Sequence, residues 1–323
     1  VFALTLNTPL SAQETNAAKD AKEETAEDIY KIPDGADVKT LVAIIQRVKS
    51  TQPKSLEQFL KGMKTMEKVS TLLLKQVDDK KSEAYHVAVT TSLLTRVVRT
   101  QVPDGGDVDL EGLYKDAKKY LTGKDNLTDE QVQIATMIPT ALEQLDVKLA
   151  AEAYEAFGKL LKKQKDPRFA EFGETMLGSG RRLNLVGNSM RVSGTTFAGQ
   201  PFDLADLKGK VVLVDFWATW CGPCLREVPN MKKNFAKYHK KGFEVVGISI
   251  DGDRSQLDKF MAENEIPWII LHEKDKPQNP VATRYGVNSI PFMVLIGKDG
   301  KVISTEARGA VLDELLEQLF ADK

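Results

Sequence analysis

Two cysteines, Cys221 and Cys224, are the only thiols in 323 residues, and two residues separate them. Neither can staple a distant loop, so both are committed to one local site. A Cys-x-x-Cys pair where a strand runs into a helix has a defined chemistry. The helix start offers unpaired N–H groups and the positive end of its dipole, which lower the pKa of the first thiol. The resulting thiolate attacks a disulfide. The second thiol, one helical turn along, then attacks the mixed disulfide and releases the reduced product. Pro223 fits an early helical position, where no hydrogen bond is lost and the backbone is held. Zinc would need two further ligands, and His86, His239 and His272 stand in unrelated contexts. Haem attachment would need a histidine after the second cysteine, where Leu225 stands. No metal or cofactor is expected. The competing reading, two incidental buried cysteines, leaves the flanking strand and helix patterns unexplained.

The elements that must hold this pair are legible on both sides of it. Val211-Val212-Leu213-Val214-Asp215-Phe216 is a near-continuous apolar run, as in a strand buried on both faces. Phe243 to Ile250 forms a second such strand. A hairpin is expected over 192–199, a helix over 254–265, a short strand over 268–271 and a helix over 280–285. Phe292–Ile296 and Val302–Glu306 should pair about the Lys298-Asp299-Gly300 turn, and a helix over 311–321 closes the chain. Strands alternating with helices imply a sheet covered on both faces.

Before residue 180 the texture is different. Leu41, Ile44, Ile45 and Val48 form a helical stripe, and Leu56, Phe59, Leu60, Met63, Met66, Val69 and Leu73 form another. A third helix is expected from Glu83 to Val102, ended by Pro103-Asp104-Gly105-Gly106. Further helices are expected at 108–122, 128–145, 147–164 and 167–179. Short polar connections make neighbours antiparallel, giving a bundle or a helix-hairpin solenoid. Gly178-Ser179-Gly180 is read as the break that ends this half.

Val214-Asp215-Phe216-Trp217-Ala218-Thr219-Trp220-Cys221-Gly222-Pro223-Cys224 resembles the active-site segment of the thioredoxin superfamily. Leu225-Arg226-Glu227-Val228-Pro229 narrows the resemblance to the TlpA/ResA-like thiol–disulfide oxidoreductases. Tyr285 to Ile296, with Ser289-Ile290-Pro291-Phe292 at its centre, resembles that family's cis-proline segment. The resemblance covers about 183–323 and implies a thioredoxin-like α/β domain, a central mixed sheet flanked by helices, preceded by an all-α domain over 36–180. It implies that Cys221 is the nucleophile and Cys224 the resolving thiol. Pro291 would be a cis-proline facing the pair, and Ile290 would offer its backbone to an extended substrate. Trp220, Gly222 and Pro223 would rim the substrate site. An ordinary trans strand-entry proline is the competing reading of Pro291. Asp215 stands where thioredoxins bury a carboxylate that takes the Cys224 proton, and burial would raise its pKa. Many TlpA-like members carry Asn there, and a solvent-facing Asp at a strand end is the alternative. Glu227 matches an acidic residue that tunes the thiols in this family; a helix-surface Glu is the alternative. Trp217 and Trp268 are read as core.

Composition bounds the rest. The chain is 42% hydrophobic and 28% charged with a formal net charge of -1, so no basic excess points to nucleic acid. Residues 1–12, apolar and ending in Ser11-Ala12, read as a signal-peptide remnant, and 13–35, ending in Pro33-Asp34-Gly35, as a flexible tether. A soluble periplasmic or otherwise extracytoplasmic location follows. Gly-Pro between the cysteines resembles the reducing thioredoxins, whose potential is about -270 mV against about -120 mV for DsbA. The expectation is therefore a reductant of protein disulfides with a membrane-linked electron donor, serving cytochrome c maturation as some relatives do. A second expectation makes the helical half the main function, a module for binding a protein partner or for self-association. A thiol peroxidase is disfavoured, because a peroxidatic cysteine follows a different Pro/Thr-containing loop.

Overall fold

Among the residues that the computed structural model describes (28–103, 105–273 and 279–321), seven helices precede the first strand. They are α1 (Val38–Ser50), α2 (Leu56–Gln76), α3 (Glu83–Arg99), α4 (Leu110–Leu121), α5 (Asp129–Leu142), α6 (Val147–Lys162) and α7 (Pro167–Leu183). Then come β1 (Ser193–Thr195), β2 (Pro201–Asp203), β3 (Val211–Trp217), α8 (Gly222–Tyr238), β4 (Phe243–Ser249), α9 (Arg254–Glu263), β5 (Ile269–Leu271), α10 (Pro280–Arg284), β6 (Phe292–Ile296), β7 (Val302–Ser304) and α11 (Gly309–Phe320). The expected signal remnant, 1–12, lies outside the described residues. So does the expected tether up to residue 27.

Side-chain caps explain where the early helices begin. Asp37, Ser55, Asp109, Asp146 and Asp166 each accept a hydrogen bond from a backbone N–H two or three residues into their helix. Thr128 and Gln131 form a reciprocal capping box at α5. Two compact units divide inside α3, between Thr95 and Arg96, whereas the sequence texture changes at 180–183. In the first unit, Leu41, Ile44, Ile45 and Val48 of α1 pack on Met66, Val69 and Leu73 of α2. The described end of the expected tether packs there too. Asp28–Tyr30 is a 3-10 turn, Ile29, Tyr30 and Ile32 lie against this cluster, and Arg47 Nε donates to the Ile29 carbonyl over 3.1 Å.

The second unit unites α4–α7 with the α/β part. Its main sheet has the order β5-β4-β3-β6-β7. β3 pairs in parallel with β4 and antiparallel with β6, so the sheet is mixed. Every residue of β3 and β4 is buried. Val211, Leu213 and Trp217 face a cluster built from α8, α9 and α11 that also holds Cys221 and Cys224. Val212, Val214 and Phe216 face the opposite cluster, with Val281, Ala282 and Tyr285 from α10 and the turn after it. This is the thioredoxin-like sheet, with helices on both faces. The hairpin expected over 192–199 forms one step later, β1 on β2 with Ser193 opposite Asp203.

One sequence expectation fails for a clear reason. Helix α7 does not stop at Gly178-Ser179-Gly180 but runs to Leu183, and all three of those residues are buried. A Cβ at Gly178 would lie 2.5 Å from the backbone nitrogen of Gly286. The glycine is there for a close approach of two backbones, not for a helix end.

Candidate active site

Strand β3 ends at Trp217, and a short turn, Ala218–Trp220, leads into α8 with Cys221 at the N-cap. The Cys221 sulfur accepts a hydrogen bond from the Cys224 backbone N–H over 3.2 Å. Cys221 and Cys224 are joined as a disulfide. The two sulfurs thus sit where the first turn of a 17-residue helix presents its N–H groups, the setting that stabilises a thiolate once the bond is reduced. Cys221 is 5% exposed and Cys224 1%. An incoming thiol therefore reaches Cys221 more readily. Trp220 is 63% exposed and stands with exposed Gly222 and Pro223 on the rim, while Trp217 is buried against Phe260.

The peptide bond between Ile290 and Pro291 is cis, so the trans strand-entry reading does not hold. Ile290 packs on the same cluster that contains both cysteines. Phe292, the next residue after Pro291, pairs with Phe216 of β3, which holds this segment beside the strand that leads to the cysteines.

Asp215 is buried, not solvent-facing. Alternation along β3 puts it on the face of Leu213 and Trp217, toward the cluster with the cysteine pair. Its sheet partners are Gly247 and Met293, and its Oδ1 has no hydrogen-bond partner. Burial, and then the negative charge of Glu227, push its pKa from 3.8 up to about 8. A carboxylate of that strength gains and loses a proton close to neutral pH.

Glu227 is half-buried on α8, one turn beyond the cysteines, and its Oε2 accepts from the Gly309 N–H over 3.0 Å. It therefore caps the start of α11, where Arg308 supplies no side-chain cap, and its charge bears on Asp215. Both roles differ from a plain surface glutamate.

Sequence reasoning missed Asp251. Its carboxylate, 6% exposed, accepts from the Thr219 N–H at 3.0 Å, the Thr219 hydroxyl at 2.6 Å and the Ser249 hydroxyl at 2.8 Å. His272 Nε2 lies 3.0 Å from the Asp251 carbonyl oxygen. Asp251 thus ties the turn that presents Trp220 and Cys221 to the end of β4. A signal existed. Asp251 follows β4 at the carboxyl end of a parallel pair, the end where such sheets build their sites.

The family model described as Redoxin matches residues 185–317, the part that follows the seven helices. The thiol-disulfide oxidoreductase ResA of Bacillus thuringiensis subsp. konkukian is 35% identical over 124 residues, which span 38% of this chain and 69% of that protein. ResA of Oceanobacillus iheyensis is 35% identical over 112 residues, 35% of this chain and 57% of that protein. Among solved structures, the thioredoxin domain of a thiol-disulfide oxidoreductase from Bacteroides vulgatus is 30% identical with a TM-score of 0.38, covering 41% of this chain and 96% of that one. With 69% of a ResA protein matched at 35% identity, and a cysteine pair at the helix start where such chemistry requires it, the chain belongs to the ResA-like thiol–disulfide oxidoreductases.

Proposed function

We propose that this chain reduces protein disulfides outside the cytoplasm, with Cys221 as nucleophile, Cys224 as resolving thiol and Asp215 as proton acceptor. The Cys221 thiolate attacks one sulfur of the substrate disulfide, and the other substrate sulfur leaves as a thiolate that takes a proton from water. Asp215, as a carboxylate, takes the Cys224 proton. Cys224 then attacks Cys221 Sγ, and the second substrate thiolate leaves. Two electrons pass to the substrate, and the pair ends as the Cys221–Cys224 disulfide. The observation that carries this reading is the Cys221–Cys224 pair at the start of α8, with the buried Asp215 on the cysteine face of β3, its pKa raised by burial. In the disulfide form it holds a proton at neutral pH, which is the state the resolving step leaves behind.

Trp220, Gly222 and Pro223 on one side and Ile290 with Pro291 on the other would bind an extended substrate segment. The Gly-Pro dipeptide supports the reducing direction, and the apolar 1–12 segment supports an extracytoplasmic location; a membrane-linked electron donor would then return the pair to its reduced form. The resemblance extends the proposal to disulfides that are reduced during cytochrome c maturation. Equilibration of the full chain with glutathione redox buffers tests the direction. A potential of about -270 mV is expected, and one of about -120 mV would overturn the reductant assignment.

A further inference from the structure

Glycine inside a helix weakens it relative to alanine, so a buried helical glycine needs a reason. At Gly178 the reason is Gly286. A Cβ on Gly178 would lie 2.5 Å from Gly286 N, 2.7 Å from the Thr283 carbonyl oxygen and 2.9 Å from Gly286 Cα. Reciprocally, a Cβ on Gly286 would lie 2.5 Å from Ser179 N and 2.8 Å from its hydroxyl. These neighbours are mostly backbone, which cannot swing aside as a side-chain tip can. The Arg181 guanidinium fastens the same contact by donating to the Arg284 carbonyl over 2.9 Å. Helix α7 and the turn after α10 therefore touch backbone to backbone.

That turn is where the segment carrying Ile290 and Pro291 begins. The segment is held at its far end by the pairing of Phe292 with Phe216 and at its near end by α7 against Gly286. Between these anchors, Ile290 reaches the cluster that contains Cys221 and Cys224. A segment pinned at both ends is ordered before a substrate arrives, so binding does not have to order it.

We propose that α7 is the platform for the substrate-binding segment 287–291, and that Gly178 is a positioning residue for disulfide exchange with protein substrates. The proposal rests on the reading that Ile290 and Pro291 receive the substrate. It assigns the helical layer a part in the reaction: α7 sets affinity for an extended chain and leaves the electron transfer at the cysteines untouched. Substrates too small to lie along residues 287–291 should not sense it.

The test compares full-length wild type with Gly178→Ala, using insulin as the protein disulfide, with dithiothreitol as the electron donor for turnover, and glutathione as the small disulfide. The KM for insulin should rise about five- to tenfold with kcat within about twofold, the mark of lost binding common to ground and transition states. The equilibrium with glutathione should not move. An unchanged KM in a Gly178→Ala protein with wild-type circular dichroism overturns the proposal, and so does a displaced glutathione equilibrium. Should Gly178→Ala fail to fold, Arg181→Met decides. It removes the bond to Arg284 without adding volume at the glycines, and should raise the KM about two- to threefold; no rise overturns the proposal. A wild-type chain that leaves insulin intact would refute the exchange reading itself, a result separate from any effect of Gly178.

Discussion

Replacing Asp215 with Asn should make the protein more stable, and by an amount that grows with pH. Asp215 is buried, its Oδ1 is unpartnered, and its pKa is raised from 3.8 to about 8. Between those values the unfolded chain has released the proton while the folded chain keeps it. Stability gained from holding the proton is therefore complete below the unfolded pKa and is lost as pH rises through the folded one. The window is roughly four pH units wide, and at about 1.36 kcal/mol for each it amounts to roughly 5–6 kcal/mol. At pH 7 the loss relative to acid is on the order of 4 kcal/mol, less whatever relaxation around the carboxylate recovers. The amide of the Asp215→Asn variant would not titrate. The variant's advantage over wild type should start near zero or slightly negative at pH 4, climb through neutrality and level off above pH 8. The assay is guanidinium denaturation of the oxidised protein at successive pH values, followed by tryptophan fluorescence. Trp217, Trp220 and Trp268 all lie in the C-terminal unit, so the signal reports on that unit alone. Groups common to both proteins cancel in the difference. Parallel pH curves for the two proteins, or a wild type that gains on the variant as pH rises, would refute the reasoning.

Glu227→Gln removes the charge that helps to hold the Asp215 proton while leaving an acceptor for the Gly309 N–H. The upper edge of the Asp215 titration should move to lower pH, and the stability lost between acid and neutral pH should shrink in the same denaturation assay. Asp251→Ala strips the acceptor from Thr219 and Ser249 and should cost about 3 kcal/mol or more, read as a lowered denaturation midpoint. Gly247→Ala would put a Cβ 2.6 Å from Ile270 Cδ1 and 2.9 Å from Trp217 Nε1. Overpacking of this kind should cost about 1–3 kcal/mol, with a change in native tryptophan emission as Trp217 is displaced.

The α/β part was legible because its signals are local. An apolar strand reads as such without knowledge of its neighbours, and the cysteine pair lies within one turn of helix. Helix starts rest on equally local chemistry, since Asp, Ser and Thr caps act within three residues. The residues that escaped act across long separations. Asp251 holds Thr219 from the neighbouring strand's end, and only the parallel register, Trp217 opposite Ser249, brings them together. Gly178 looked like a helix breaker because its partner, Gly286, is remote in sequence. The acidic character of Glu227 was plain, but its hold on the start of α11 depends on how the last helix packs against α8. The unit boundary at Thr95 was equally hidden, since continuous helical patterning does not tell which helices share a core.

The proposed exchange has Cys221 attack and Cys224 resolve. Reduced Cys224→Ser protein mixed with insulin, then analysed by mass spectrometry under denaturing conditions, tests it most directly. A covalent adduct through Cys221 that dithiothreitol releases is expected, and none with Cys221→Ser, because its remaining thiol is almost fully buried. An adduct that forms equally well on Cys221→Ser, or no adduct on Cys224→Ser, would contradict it.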